Sequence, residues 1–140
     1  GAMPMIYLIY RSIATEVPRE ADLVALLEHA RPANAARGIT GMLLYQNGRY
    51  MQMLEGEESA VRDLFAAISA DRRHRDVKVV ATGALAKRHF SDWSMGFRNM
   101  DQFADLPDYD TYLARQLDDG QITREERAAF RFMFHFIESA

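Results

Sequence analysis

The 140 residues carry 17 basic and 20 acidic side chains, four histidines and no cysteine, for a formal net charge of −3, and 49% of them are hydrophobic. That is one domain with a real core rather than a disordered chain. No apolar run approaches the roughly 20 residues of a membrane span, and no basic excess points to nucleic acid. The missing cysteines exclude disulfides, thiolate nucleophiles and cysteine-ligated metals, and make a reducing cytoplasm the expected setting. Nothing at the start resembles a signal peptide, and Gly1-Ala2 ahead of Met3 reads as a remnant of tag removal.

The run Met5–Tyr10 (MIYLIY) predicts a first strand. Leu23, Leu26, Leu27 and Ala30 then recur at helical spacing between Pro18 and Arg31, with Pro32 expected to stop the helix and PANAARG to form a loop up to Gly38. ITGMLLYQ and RYMQMLEG predict two strands joined at Asn47-Gly48, a dipeptide suited to the positive φ angles of a tight hairpin. Val61, Leu64, Phe65 and Ile68 share one face of a helix expected from Glu57 to Asp71. Val77–Leu85 and Trp93–Arg98 complete the strand candidates.

The resulting order, βαββαββ, predicts an α+β fold, a ferredoxin-like mixed sheet with two helices on one face. Both faces of the strands are apolar, so a second cover is needed, and C-terminal helices are expected to supply it on the other face. Asp108–Leu117, a break at Asp119-Gly120, a capping box of Thr123 and Glu126, and an aromatic last helix with Phe130, Phe132, Phe134 and Phe136 give the candidates. The division expected is a domain over 3–98 and a helical extension over 99–140 that packs on the sheet or a partner.

Ordinary catalysis is not written in the chain. His29, His74, His89 and His135 form no pair at metal-ligand spacing, and there is no HExxH, Walker loop, nucleophile elbow or GxGxxG. The unusual feature is polarity inside apolar strands. Gln52 sits between Met51 and Met53, in register with Tyr50 and Leu54, and burying its amide without partners costs on the order of 2–7 kcal/mol. Tyr10 closes the first strand with a polar tip, Trp93 and Met95 alternate on a later one, and Asn34 follows the first helix. Taken singly, the tyrosine, tryptophan and methionine have structural readings as core, and the asparagine as a turn residue.

Together these residues resemble the BLUF family of flavin-binding blue-light sensors. The likeness runs from about Met5 to Phe97 through LIYRS with Tyr10, Asn34 before RGITGMLLY, YMQMLEG with Gln52, DRRH with Asp71 to His74, and RHFSDWSMGF with Trp93 and Met95. Asn34, Gln52 and Trp93 follow Tyr10 by 24, 42 and 83 positions without a gap. The resemblance implies a flavin (FAD, with FMN or riboflavin as alternatives) between the two helices. Asn34 would meet its polar edge, Ile13, Leu43, Tyr50 and Leu54 its apolar surroundings, and Asp71, Arg73 and His74 the ring or its tail. Where family members carry asparagine or histidine before the position of Asn34, this chain has Ala33, and one contact is missing.

The resemblance also implies a photoreceptor rather than an enzyme. Light draws an electron from Tyr10, Gln52 relays the proton and is left rotated or tautomerised, and Trp93 and Met95 exchange places beside it. The chain ends at Ala140, so output is expected through the C-terminal helices, by self-association into a homo-oligomer or by binding a separate downstream protein, with no membrane and no nucleic acid. Two other readings compete: a cofactor-free ferredoxin-like interaction module, and a small enzyme of the acylphosphatase kind, for which Arg37 in PANAARG is the only anion-binding candidate.

Overall fold

The computed structural model describes residues 4–90, 94–99 and 131. Within them the elements are β1 (Met5–Ala14), α1 (Glu20–Ala36), β2 (Thr40–Gln46), β3 (Arg49–Glu57), α2 (Glu58–Ser69), β4 (His74–Ala84) and β5 (Gly96–Asn99). The strands form one sheet in the order β4-β1-β3-β2-β5. β1 runs antiparallel to β3 and β4, β2 antiparallel to β3, and β5 parallel to β2, so the sheet is mixed and the expected α+β order is present. Trp93 lies outside the described residues, and so does the range 99–140 in which helices are anticipated, apart from Asn99 and Arg131.

The hairpin sets the register on which the site depends. Asn47 and Gly48 take φ values of 47° and 77°, the left-handed pair that a two-residue turn requires. Leu43 therefore stands opposite Gln52, and the separate β1–β3 pairing places Gln52 opposite Tyr10. A slip of one residue in either pairing would leave the shifted strand's side chain on the other face, away from its partner. That face holds a buried cluster of Ile6, Leu8, Tyr10, Leu27, Ile39, Leu43, Leu54, Val61 and Met95. Each large aliphatic side chain in it contributes about 1.5–3 kcal/mol by leaving water. On the opposite face Ile9, Met42 and Met53 are fully buried as well, in keeping with strands apolar on both sides.

Two boundaries differ from expectation in ways that matter for the site. Pro32 does not stop α1 but lies inside it. The missing N–H deprives only the Glu28 carbonyl, and Glu28 and Pro32 are both exposed, so water can serve that oxygen. The helix runs on to Ala36 and is terminated by Gly38, whose φ of 69° lets Ile39 N donate to Asn34 O at 2.9 Å and Gly38 N to Ala35 O at 3.1 Å. This is the Schellman arrangement, with glycine where a side chain would be strained. Asn34 is therefore a buried helical residue, not a loop residue. The second helix, expected to reach Asp71, stops at Ser69, and His74 opens β4, paired with Ala14 at the end of a β1 that continues beyond Tyr10.

Glu55 ties the chain after β4 to the sheet. Its fully buried carboxylate accepts hydrogen bonds from Thr40 Oγ1, His89 N and Phe90 N at 3.0, 2.7 and 3.0 Å. Arg88 bridges the neighbouring carbonyls of Glu55 and Gly38 at 3.1 and 2.7 Å. A buried charge is tolerable only with such a set of donors.

Candidate functional site

A cavity of about 920 Å³ lies between the two helices above the centre of the sheet. Leu23, Leu27 and Ala30 of α1 and Leu64 and Ile68 of α2 form apolar walls, while Tyr10, Leu43, Tyr50 and Gln52 form the floor. The helical stripes that read as core in the sequence thus face each other across a gap.

At the floor, Tyr10 Oη donates to Gln52 Oε1 at 2.5 Å, and Gln52 Nε2 donates to Met95 Sδ at 3.1 Å. The direction of both bonds fixes the amide's orientation. A thioether only accepts, so the nitrogen end must face Met95, and the oxygen end is left for the phenol. Burial, with the nearby Tyr50 and Asp71 adding to it, pushes the Tyr10 phenol above its ordinary range, so the phenol keeps its proton. Tyr10 also packs against Phe65 and His74, with ring centroids 5.6 and 6.2 Å away.

Two buried polar groups at this floor are incompletely satisfied. Asn34 is 3% exposed and spends its Nδ2 on Ser94 O at 3.0 Å, leaving Oδ1 without a partner among the described residues. Gln52 is 7% exposed and uses one of its two N–H groups on Met95. Unpaired buried amide atoms are costly, and both residues line the cavity. The missing ligand edge is one that donates to Asn34 and accepts from Gln52, beside a flat apolar body. The imide N–H and adjacent carbonyl of a flavin ring have that pattern, so the residues present fit a flavin.

His74 closes the α2 side. Its Nε2 lies 2.6 Å from Ile68 O and its Nδ1 2.7 Å from Ser12 Oγ. A carbonyl cannot donate, so Nε2 carries a proton directed at Ile68 O. Tyr50 meets His74 edge-on at 6.5 Å, and its phenol is also raised, mainly by burial. At the mouth, Arg73 Nε donates to both carboxylate oxygens of Asp71 and its Nη2 to Oδ2, and these bonds hold the Asp71 carboxyl down to about 2.

Of the residues anticipated from sequence, Tyr10, Asn34, Leu43, Tyr50, Gln52, Asp71, Arg73, His74 and Met95 line this one cavity. Leu54 lies in the adjoining core cluster, and Ile13, on β1, is not part of the lining. Ala33 is in the lining without a polar atom to offer. Sequence reasoning did not single out Arg31, Ser12 or Glu55. Glu55 carried a usable signal, since a carboxylate inside an apolar strand needs the same explanation as Gln52. Among the described residues no helix is long and apolar enough to cross a membrane.

Comparison with known proteins agrees with this geometry. Residues 5–96 match the family described as BLUF, sensors of blue-light using FAD. Photoactivated adenylate cyclase subunit beta of Euglena gracilis is 36% identical over 108 residues, which cover 76% of this chain and 13% of that protein. The chain therefore spans only a small part of that relative's length. The dark state of BlrB, a BLUF protein, superposes with a TM-score of 0.72 at 30% identity, covering 94% of this chain and 96% of that one. BlrP1 of Klebsiella pneumoniae, solved with FMN and cyclic diGMP, gives a TM-score of 0.65 at 37% identity over 69% of this chain and 26% of that one.

Proposed function

This chain belongs to the BLUF family of blue-light sensors, and from that premise we propose that Tyr10, Gln52 and Met95 form a light-operated relay between a flavin in the cavity and β5. When bound, the flavin supplies an excited state that accepts an electron under blue light. Tyr10 gives up that electron, and its phenolic proton moves along the 2.5 Å bond to Gln52 Oε1. Return of the electron draws a proton back from the Gln52 amide to the phenolic oxygen, so Tyr10 ends as it began and the amide ends neutral.

What differs afterwards is the Gln52 amide. With its ends exchanged, Nε2 donates to the Tyr10 oxygen and Oε1 faces Met95 Sδ. Sulfur and oxygen are then both acceptors, so the Met95 contact is lost. A single amide with unlike ends thus gives two arrangements, of which only one holds Met95. The observation that carries this reading is the orientation of Gln52 between a donor and an acceptor.

The flavin proposed is FAD, the one named in the family's description, whereas the BlrP1 relative was solved with FMN. The described lining grips a ring rather than a tail, so FMN or riboflavin would enter the same slot. The photocycle is reversible, with no catalysis by this chain. Output passes from β5 into residues 99–140, and from there to a homo-oligomer contact or a separate downstream protein. The Euglena relative is named as a cyclase subunit, and a regulated effector is the class of partner this suggests.

Absorption spectra before and after blue illumination test the reading. A yellow protein whose band moves to the red and returns in darkness is expected. A flavin-loaded protein with an unchanged band, or a protein that takes up no flavin, overturns it.

A further inference from the structure

Arg31 and Asn34 lie three residues apart on α1, a spacing that puts them on one face. Each donates to one of two consecutive main-chain carbonyls. Asn34 Nδ2 reaches Ser94 O at 3.0 Å, and Arg31 Nε reaches Met95 O at 2.9 Å. These carbonyls immediately precede β5, which is only four residues long and pairs with β2.

Met95 is consequently held by contacts of unequal strength. Its side chain accepts a bond from the neutral Gln52 amide through a weakly accepting sulfur. Its main chain accepts a bond from a charged guanidinium, roughly twice as strong as a neutral pair. Gln52 is the group that turns in the light-switch reading, so its grip on Met95 is the one that lapses. The grip from α1 does not depend on the amide's orientation. Asn34, whose Oδ1 has no partner among the described residues, lines the cavity while holding Ser94, so one face of α1 touches both the ligand site and the segment before β5.

We propose that Arg31 is a positioning residue, a latch from α1 to the Met95 main chain that holds the thioether within reach of Gln52. The proposal deepens the light-switch reading and rests on it for its consequence, the rate at which the dark arrangement is regained. The latch itself needs no cofactor. Removing it lets the Ser94–Met95 segment drift from Gln52, and regaining the dark contact then requires a search that the latch spares.

The test uses Arg31→Met, which keeps the aliphatic stem and removes the donor. In flavin-free protein carrying ¹³C-methyl methionine, the Met95 methyl resonance, assigned by its loss in Met95→Leu, is expected to shift and sharpen. Hydrogen exchange at the Gly96 and Phe97 amides is expected to quicken about tenfold, the effect of losing one charge-assisted bond at a partly exposed site. An unchanged methyl resonance with unchanged exchange overturns the latch. In flavin-loaded protein, recovery after light is expected to slow by about five- to tenfold with Arg31→Met, and to respond little to the same change in a Met95→Ala background. An equal response in both backgrounds overturns the proposal, because Arg31 would then act other than through Met95. If the unsubstituted protein shows no light-induced shift, the light-switch reading fails while the methyl and exchange results stand. Should Arg31→Met not fold, Arg31→Lys, which keeps a point donor, carries the same comparisons with a smaller change.

Discussion

Tyr10 and Gln52 are cross-strand partners in the β1–β3 ladder, and the phenol of one donates to the amide oxygen of the other at 2.5 Å. Neither could reach the other from a shifted β1–β3 register, while the Asn47-Gly48 turn fixes the β2–β3 register that sets Leu43 against the same Gln52.

Tyr10→Phe separates the two tasks of that residue. The ring and its packing against Phe65 and His74 stay, while the hydroxyl that donates to Gln52 goes. Flavin uptake should be retained and the light-induced shift abolished, as read in difference spectra. Gln52 Oε1 loses its donor at a buried site, so stability should fall by about 1–3 kcal/mol in urea unfolding. A full shift in this variant would remove Tyr10 from the mechanism.

Asn34→Ala tests the polar end of the cavity. The substitution deletes the bond to Ser94 O together with an Oδ1 that has no partner among the described residues. Flavin affinity should weaken about tenfold, the worth of roughly one well-made hydrogen bond, in a fluorescence titration. An unchanged Kd would put the ligand's polar edge elsewhere.

Much of this site was legible because strand residues alternate. Once Leu43 and Gln52 were placed on one hairpin their meeting followed, whereas Tyr10 joins them through the β1–β3 pairing. Asn34 was harder to place. Pro32 is a helix breaker by rule, but the carbonyl it strands faces water, so the rule had little force there. The stop was Gly38, which read only as the end of a loop. The Arg31–Met95 and His74–Ser12 bonds could not be read at all, because they join elements through tertiary geometry that no local pattern encodes.

The Asp71–Arg73 pair gives an acid-stability prediction. The Arg73 hydrogen bonds lower the Asp71 carboxyl from its ordinary 3.8 to about 2 in the folded protein. Between those values the unfolded chain binds more protons than the native one, so stability rises with pH there. The contribution is complete above about pH 4 and fades as pH falls toward about 2. Arg73 is 65% exposed, so solvent keeps the effect small. Asp71→Asn should flatten the fall in urea midpoint over that window. An identical fall in both proteins would mean the pair does not persist in solution.

Gly41→Ala tests how closely β2, β3 and Met95 approach. A Cβ built at Gly41 would lie 2.0 Å from Met53 O and 3.2 Å from Met95 Cε. The first contact is with main chain in the middle of a sheet, which cannot move aside as a side chain tip could. Relief must come from parting β2 from β3, at the pairing that sets Leu43 against Gln52. A loss of about 3 kcal/mol is expected, at the upper end for overpacking because backbone is displaced. Urea unfolding measures it. The same displacement should move Met95 relative to Gln52, so any folded fraction should bind flavin with a dark spectrum unlike that of the unsubstituted protein. A normal midpoint together with a normal spectrum would show that the strands have slack at Gly41, and that Met95 is not packed against it.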